Sequence, residues 1–346
     1  MDGGATEAQK FVWQGAIPLQ IHLHESEVTA LPAPPPLMVL APRIGYLPLL
    51  ASQLKPHFGG ALPPGTDTIW FEYKGLPLKW YVPIGVIFDL LCTEPERPWN
   101  LTVHFRGYPS NILTPYESEE SVKWSFINSL KEAAYIINGN CKNIMKMAQS
   151  DQVDLWNSIS NRNLEAYMRI SSKLKLRIID DDFTENSISR SSGETDSAGP
   201  AKTGRVPVRL YIWTVSEDFE DVEDAPQVDD WEKVSYVNRP VEYQNRGKYF
   251  SLGDAVKSLL PNYFKEKSQT DSETKAEVEG QANPEEGVSK SPTQTETTSS
   301  LPKTKLMFVR VQGIQPKLEI PFSWAVNNLM SPDYFLHLCV CIKVSQ

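Results

Sequence analysis

The sequence contains GLPLKWYVPIGVIFDLL at residues 75–91 and GIQPKLEIPFSWAVNNL at residues 313–329, and the two stretches align without a gap. The identical pairs are Gly75 and Gly313, Lys79 and Lys317, Pro83 and Pro321, and Leu91 and Leu329. Each stretch indicates a turn glycine, a short strand, a proline at the first helical position and an apolar helix, followed by another strand. A pattern repeated at one offset predicts two copies of a small α+β module.

The residues around the first stretch complete one module. Residues 11–24 (FVWQGAIPLQIHLH) predict a β-hairpin that turns at Gln14-Gly15, because apolar residues alternate along its second strand. The other predicted elements are strands at 37–41, 68–73, 76–80 and 99–106, a helix at 46–58 that ends near Pro56, and the helix after Pro83. A hairpin, a helix and further strands follow the order of a ubiquitin-like β-grasp fold with a second helix inserted.

Helices dominate the prediction between the two modules. Residues 118–138 predict a long helix that Ser118 caps and Gly139 stops, and two shorter helices follow at 152–160 and 164–174. The second module is predicted to begin at Val206. Its other elements are strands at 231–237, 306–311 and 334–344 and a helix at 251–260.

We therefore expect an α+β fold in which two ubiquitin-like β-grasp domains flank a small helix-rich domain. The expected first ubiquitin-like domain spans residues 1–110, and the helix-rich domain spans 111–178. An acidic disordered linker is expected at 179–204, and the second ubiquitin-like domain at 205–346 with a disordered acidic insert at about 265–302.

Composition and charge narrow the class of protein. The 346 residues carry a formal charge of −9, and 40% of them are hydrophobic, which is enough for two or three domain cores. Residues 180–230 carry −10 and residues 265–300 carry −4, so the rest of the chain is mildly basic at about +5. No stretch predicts a membrane span or a signal peptide. The four cysteines lack metal or disulfide spacing, which favours a reducing, cytosolic compartment.

No catalytic constellation is evident. Cys92 and Cys141 are candidate thiols for a pair with His104, but Cys92 ends an apolar helix and His104 alternates with apolar residues in a strand, which favours packing roles. His22 and His24 are candidate metal ligands on one strand face, yet the local sequence offers no third ligand. We expect neither an active site of its own nor a cofactor.

The helix at 118–138 carries one clear pattern. An apolar stripe recurs at spacings of three and four residues, formed by Val122, Phe126, Leu130, Ala133 and Ile137. At about 100° per residue, Lys131 lies roughly 140° from the centre of this stripe and is expected to be exposed. The periodicity alone predicts an ordinary surface lysine.

Five segments carry a resemblance to a known family. They are VWQGAIP at 12–18, APRIGYLP at 41–48, WYVPIGVIFD at 80–89, PWNLTVHF at 98–105 and SLKEA at 129–133. In their order and spacing, the chain closely resembles the autophagy protein five family and is similar to its plant members. The resemblance covers essentially the whole chain except the acidic segments, which are long for the family. It implies two ubiquitin-like domains around a helix-rich domain.

The resemblance also implies a function. Family members receive the ubiquitin-like autophagy protein twelve on one lysine through an isopeptide bond, and by similarity that lysine is Lys131. Separate E1-like and E2-like enzymes supply the thioester chemistry. A groove between the three domains is implied to take the N-terminal helix of autophagy protein sixteen, and we expect Arg43 and Gly85 near it. Gly85 starts the repeated helix, where a close approach is possible, whereas Ser323 replaces it in the second copy.

The implied assembly is an E3-like complex. It promotes conjugation of autophagy protein eight to phosphatidylethanolamine during autophagosome formation, so the expected location is the cytoplasm and the phagophore membrane, peripherally. No nucleic acid partner is expected. Two other functions stay open: a non-covalent adaptor with two ubiquitin-like domains, and a cysteine hydrolase of ubiquitin-like conjugates that uses Cys92 or Cys141.

Overall fold

A computed structural model describes residues 5–65, 68–92, 96–176, 203–216, 218, 227–243, 250–264 and 304–344. Nearly all of the predicted acidic linker and the whole of the predicted insert at 265–302 lie outside these residues. Within the described residues, no helix is long and apolar enough to cross a membrane.

The first module is a five-stranded sheet with helices packed against it. Its elements are α1 (Glu7–Gln14), β1 (Ala16–Leu23), β2 (Leu37–Pro42), α2 (Ala51–Phe58), β3 (Trp70–Tyr73), β4 (Leu76–Pro77), α3 (Ile84–Leu91) and β5 (Trp99–His104). The strand order is β2-β1-β5-β3-β4. β1 runs parallel to β5 and antiparallel to β2, while β3 runs antiparallel to β5. This is the predicted β-grasp arrangement.

The predicted hairpin at residues 11–24 is wrong. Its first half belongs to helix α1, and β1 pairs instead with β2, which is distant in sequence. A capping box explains the helix, because the side chain of Thr6 accepts from the backbone of Gln9 and the side chain of Gln9 accepts from the backbone of Thr6. Gly15 ends the helix where a turn was expected. Pro56, expected to end α2, lies inside that helix.

Four helices follow the first module within residues 96–176. They are α4 (Glu119–Asn138), α5 (Lys142–Met145), α6 (Gln149–Ser160) and α7 (Leu164–Leu174). The long helix begins after Ser118 and ends at Gly139, as predicted, and the φ of 69° at Gly139 is the left-handed conformation that glycine adopts without strain. Trp156 of α6 packs near Phe126 of α4, with ring centroids 6.0 Å apart.

The second module repeats the arrangement of the first. Its elements are β6 (Arg205–Ser216), β7 (Val234–Glu242), α8 (Leu252–Leu259), β8 (Thr304–Arg310), α9 (Phe322–Leu329) and β9 (Leu336–Val344). The strand order is β7-β6-β9-β8, and β6 runs parallel to β9. Ser251 caps α8, as predicted. The α+β fold with two ubiquitin-like modules around a helical region is confirmed.

The repeated stretches occupy equivalent places in the two modules. The turn residues Lys74-Gly75 and Gln312-Gly313 all have positive φ, which suits the tight turn between two antiparallel strands. Helices α3 and α9 each have eight residues and start at the same aligned position. The sequence pattern predicts Pro83 and Pro321 at the first helical position. In the structure each proline lies one position earlier, as the N-cap residue.

The two modules pack directly against each other. The outer face of the second sheet, with Tyr211, Trp213 and Cys339, belongs to the same buried cluster as α3 of the first module. The thiol of Cys339 lies 3.4 Å from the backbone oxygen of Val86 on α3. Alternation along β6 therefore does not separate a buried from a solvated face, because one face packs inside its own module and the other against the first module.

Candidate functional site

Lys131 lies on the side of α4 away from the apolar stripe, as predicted, but it is less exposed than expected. All five residues of the predicted apolar stripe are buried, and Lys131 itself is half-buried rather than exposed. Its amine lies 3.5 Å from Asn128 Oδ1 and 5.8 Å from the ring centroid of Trp124. The aliphatic stem of a lysine packs along such a surface while its amine stays near solvent, which explains the intermediate burial.

A row of residues on the outer face of α4 includes Lys131. Trp124, Asn128, Lys131 and Tyr135 follow one another at spacings of four, three and four residues, so they share one side of the helix. Trp124 is 51% exposed and Tyr135 is 63% exposed. Exposed aromatic side chains are typical of protein-binding surfaces, and here they lie on both sides of a nucleophilic amine along the helix.

The residue after Lys131 is anchored to the second module. Glu132 accepts a hydrogen bond from Arg209 of β6 (2.8 Å) and another from Asn238 of β7 (2.7 Å). Arg209 also donates to Ser129 Oγ at 3.0 Å. The helix is thus fixed against the second sheet immediately beside Lys131.

A buried polar network continues from Arg209 into the second module. Its guanidinium lies 3.5 Å from Asp333 Oδ2 and stacks 3.7 Å from the ring centroid of Phe335. His337 Nε2 lies 3.2 Å from the same Asp333 oxygen. Burial tends to raise the pKa of Asp333, but His337 and Arg209 outweigh it and hold that pKa below its ordinary value.

Arg43 and Gly85 are in direct contact, and both are buried. Arg43 Nη2 forms an ion pair with Asp89 Oδ2 at 2.5 Å and donates to the backbone oxygen of Gly85 at 3.1 Å. A Cβ on Gly85 would lie 2.9 Å from the Cβ of Arg43, so only glycine permits this approach. The same Asp89 oxygen accepts from the backbone N–H of Gly313 at 2.8 Å. Both residues are buried at the junction of the two modules, not on an open surface.

The first helix marks a surface that sequence reasoning missed. On one side of α1, Thr6 and Gln9 hydrogen-bond to Asn328 and Asn327 of α9. On another side, the ring centroid of Trp13 lies 4.7 Å from that of Tyr167 in α7. All three parts of the chain therefore meet at α1. The Thr-x-x-Gln capping signal at residues 6–9 was the clue available in the sequence.

Two large apolar side chains are exposed on these contacting helices. Phe11 of α1 is 71% exposed, and Trp324 of α9 is 43% exposed. Trp324 aligns with Val86 of the first repeat, which is buried because α3 packs against the second sheet. The outer face of α9 lacks such cover within the part of the chain that the structure describes.

The candidate thiol–imidazole pair is not brought together. His104 stacks on Trp70 with ring centroids 3.7 Å apart and on His24 at 4.4 Å, and its Nε2 lies 3.2 Å from Glu72. Burial raises the pKa of Cys92 to about 12, so the thiol is a poor nucleophile at neutral pH. No group of three or more metal-ligating side chains occurs among the described residues. Of the two candidate metal ligands, His22 instead has its Nε2 3.2 Å from Gln20 Nε2.

We expect the native protein to expose one reactive thiol. Cys92, Cys339 and Cys341 are buried, and burial raises the pKa of Cys341 to about 12, whereas Cys141 is half-buried. Titration with a thiol reagent at pH 7.5 should give one fast equivalent that C141A removes. Unfolding in denaturant should release all four, and fast native labelling of Cys92 would contradict this assignment.

Sequence comparison identifies relatives along nearly the full chain. Autophagy protein 5 of Arabidopsis thaliana is 55% identical over 99% of this chain and 99% of its own length. The chain belongs to the autophagy protein 5 family. Autophagy protein 5 of Oryza sativa subsp. indica is 51% identical over 98% of this chain and 95% of its own length. The suspected family, including its plant character, is confirmed.

Three family models match successive parts of this autophagy protein 5 family member. The model for the UblA domain of Autophagy protein ATG5 matches residues 12–105, the alpha-helical bundle region matches 119–177, and the UblB domain matches 205–340. The crystal structure of Kluyveromyces marxianus Atg5 shares the fold, with a TM-score of 0.63 at 20% identity over 96% of this chain and 98% of that chain. The chain is thus an autophagy protein with two ubiquitin-like domains.

Proposed function

We propose that this family member is a scaffold that becomes conjugated at Lys131. In the proposed reaction, the deprotonated amine attacks the thioester between the C-terminal glycine of autophagy protein twelve and an E2-like enzyme. A C–N bond forms and the C–S bond breaks. The cysteine of the E2-like enzyme leaves as a thiol, which carries the proton that the amine loses. The position of Lys131 in the aromatic row of α4 is the observation that carries this proposal.

The chemistry of the proposed reaction makes few demands on the chain itself. An acceptor must offer an accessible amine on a rigid surface that the E2-like enzyme, loaded with the thioester, can approach. The anchoring of Glu132 and Ser129 supplies the rigidity, and Trp124 and Tyr135 supply an apolar contact area. The activating enzymes are separate proteins in this proposal, so the chain acts as a non-catalytic substrate.

The test is reconstitution with purified E1-like and E2-like enzymes and autophagy protein twelve. Peptide mapping by mass spectrometry should locate the branched peptide at Lys131. A branch at another lysine would overturn the acceptor assignment. A chain that binds these proteins but never forms a covalent product would instead be the non-covalent adaptor.

We further propose that the helix of autophagy protein sixteen binds beside α1. The first module, the helical region and the second module meet there, and Phe11 and Trp324 offer the apolar anchors that a helix-in-groove contact uses. Arg43 and Gly85 would act behind this surface rather than on it. The backbone N–H of Arg43 donates to the oxygen of Gly15, which ends α1.

Replacing Trp324 with alanine should weaken binding of that helix. Buried tryptophan contacts are frequent binding hot spots, and a loss of about 2 kcal/mol corresponds to roughly thirtyfold in affinity. M38A is a matched control, since Met38 is a 58% exposed apolar residue on β2. Calorimetric titration with the peptide should separate the two variants. Equal affinities for W324A and M38A would place the partner elsewhere.

The assembled complex is proposed to act as an E3-like factor. It would promote transfer of autophagy protein eight to phosphatidylethanolamine, with the protein in the cytoplasm and peripherally at the phagophore membrane. The proposed domains are residues 1–110, 111–178 and 205–346, with a linker at 179–204 and an insert at about 265–302. Neither a cofactor nor a nucleic acid is required for any of these steps.

A further inference from the structure

Arg209 grips the acceptor helix at two points one turn apart. It donates to Ser129 Oγ at 3.0 Å and to Glu132 Oε2 at 2.8 Å, which lie two residues before and one residue after Lys131. Two anchors from one planar guanidinium fix both the height and the rotation of a helix. At about 100° per residue, Lys131 then lies roughly 130° from the anchored side and faces away from the second module.

Arg209 is itself held by the last part of the chain. Its strand β6 pairs in parallel with β9, where Arg209 lies opposite His337. Asp333, just before β9, lies 3.5 Å from the guanidinium, and Phe335 stacks against it. The side chain of Arg209 is 13% exposed and that of Asp333 is 4% exposed, so the pair is shielded from solvent and salt.

A third contact reaches α4 from the edge of the same sheet. Asn238 of β7 lies opposite Arg209 in the sheet register and donates to the second oxygen of Glu132 at 2.7 Å. Both carboxylate oxygens of Glu132 are therefore held by neighbouring strands of the second module. Because β6 is paired on one side with β7 and on the other with β9, the grip on α4 requires the folded second sheet.

We propose that Arg209, supported by Asp333, is a positioning residue for the acceptor, so that transfer to Lys131 requires a completed second module. This inference rests on the proposed role of Lys131. A displacement of about 1 Å at a reacting group can lower a rate as much as a hundredfold, so loss of the grip should slow transfer. Modification of Lys131 on α4 would thus depend on folding of the second module.

The test compares R209M with R205M in the full chain. Arg205 lies on the same strand, but its side chain is 51% exposed and pairs with Glu242 of β7 at 3.2 Å. Single-turnover transfer from the charged E2-like enzyme is measured over a range of chain concentrations. R209M should lower the maximal rate about tenfold with the half-saturating concentration nearly unchanged, while R205M should match the unaltered chain.

A second variant separates positioning from folding. E132A removes the contacts of Glu132 with Arg209 and Asn238 from the helix side, so it should also slow transfer. Arg209 keeps Ser129 and Asp333 in this variant. R209K should restore part of the rate through its ammonium group. If R209M fails to fold, the transfer rate of E132A tests the inference. Rates within twofold of the unaltered chain in E132A would overturn the inference. A covalent product that persists in K131R would instead overturn the proposed acceptor itself.

Discussion

Replacing Lys131 with arginine should abolish the covalent conjugate entirely. A guanidinium stays protonated near neutral pH and does not attack a thioester. Arginine nevertheless keeps the positive charge and approximate length of the lysine side chain. It also stacks well on an aromatic ring, so the contact with Trp124 should survive. We therefore expect normal folding and normal binding of the partner helix. The measurement is loss of the slower-migrating species in a reconstituted reaction and in cells.

K123R provides the matched control on the same helix. Lys123 lies two turns before Lys131 and pairs with Glu120 at 3.3 Å, so the exchange keeps its charge and its partner. The conjugate should form at the unaltered rate in K123R. A heavier species that survives K131R and disappears in K123R would move the acceptor to the start of α4.

The repeat explains why most of the fold could be predicted. Two-residue turns with positive φ, helices that follow a proline and alternating strands are local features, and local features appear in the sequence. The positions of Gly75, Gly313, Pro83 and Pro321 were therefore informative without any knowledge of contacts. The apolar stripe of α4 was equally local, and all its residues are buried as expected.

Two features of the chain limit prediction from the sequence: competing local signals at its start and packing between distant segments. The alternating pattern after Gly15 suggests a hairpin that includes residues 11–14, whereas the capping box of Thr6 and Gln9 starts a helix that contains them. Arg43 and Gly85 are expected near the partner groove from the resemblance alone, and the sequence does not show that Asp89 and Gly313 enclose Arg43 once the two modules pack together. The contacts of Arg209 could not be predicted, because nothing in the neighbouring sequence indicates Ser129 or Glu132 as its partners.

Replacing Asp89 with alanine should destabilise the junction between the modules strongly. The side chains of Arg43 and Asp89 are 8% and 6% exposed, so D89A leaves a buried guanidinium without its counter-charge. The backbone N–H of Gly313 also loses its acceptor. Breaking a buried ion pair from one side costs about 3–5 kcal/mol, which is a large share of the stability of a domain. Urea unfolding followed by tryptophan fluorescence should show a lower midpoint.

Two further variants decide whether the lost counter-charge is the cause. D229A removes an exposed carboxylate that pairs with Lys233, and solvent screens that pair, so its midpoint should stay unchanged. The double variant R43M/D89L replaces both buried charges with apolar side chains of similar size and should recover most of the loss. If the double variant is as unstable as D89A, the cost lies in packing around Gly85 and Gly313 rather than in an unpaired charge. The buried pair would then serve mainly to fix how the turn of the second module meets α3.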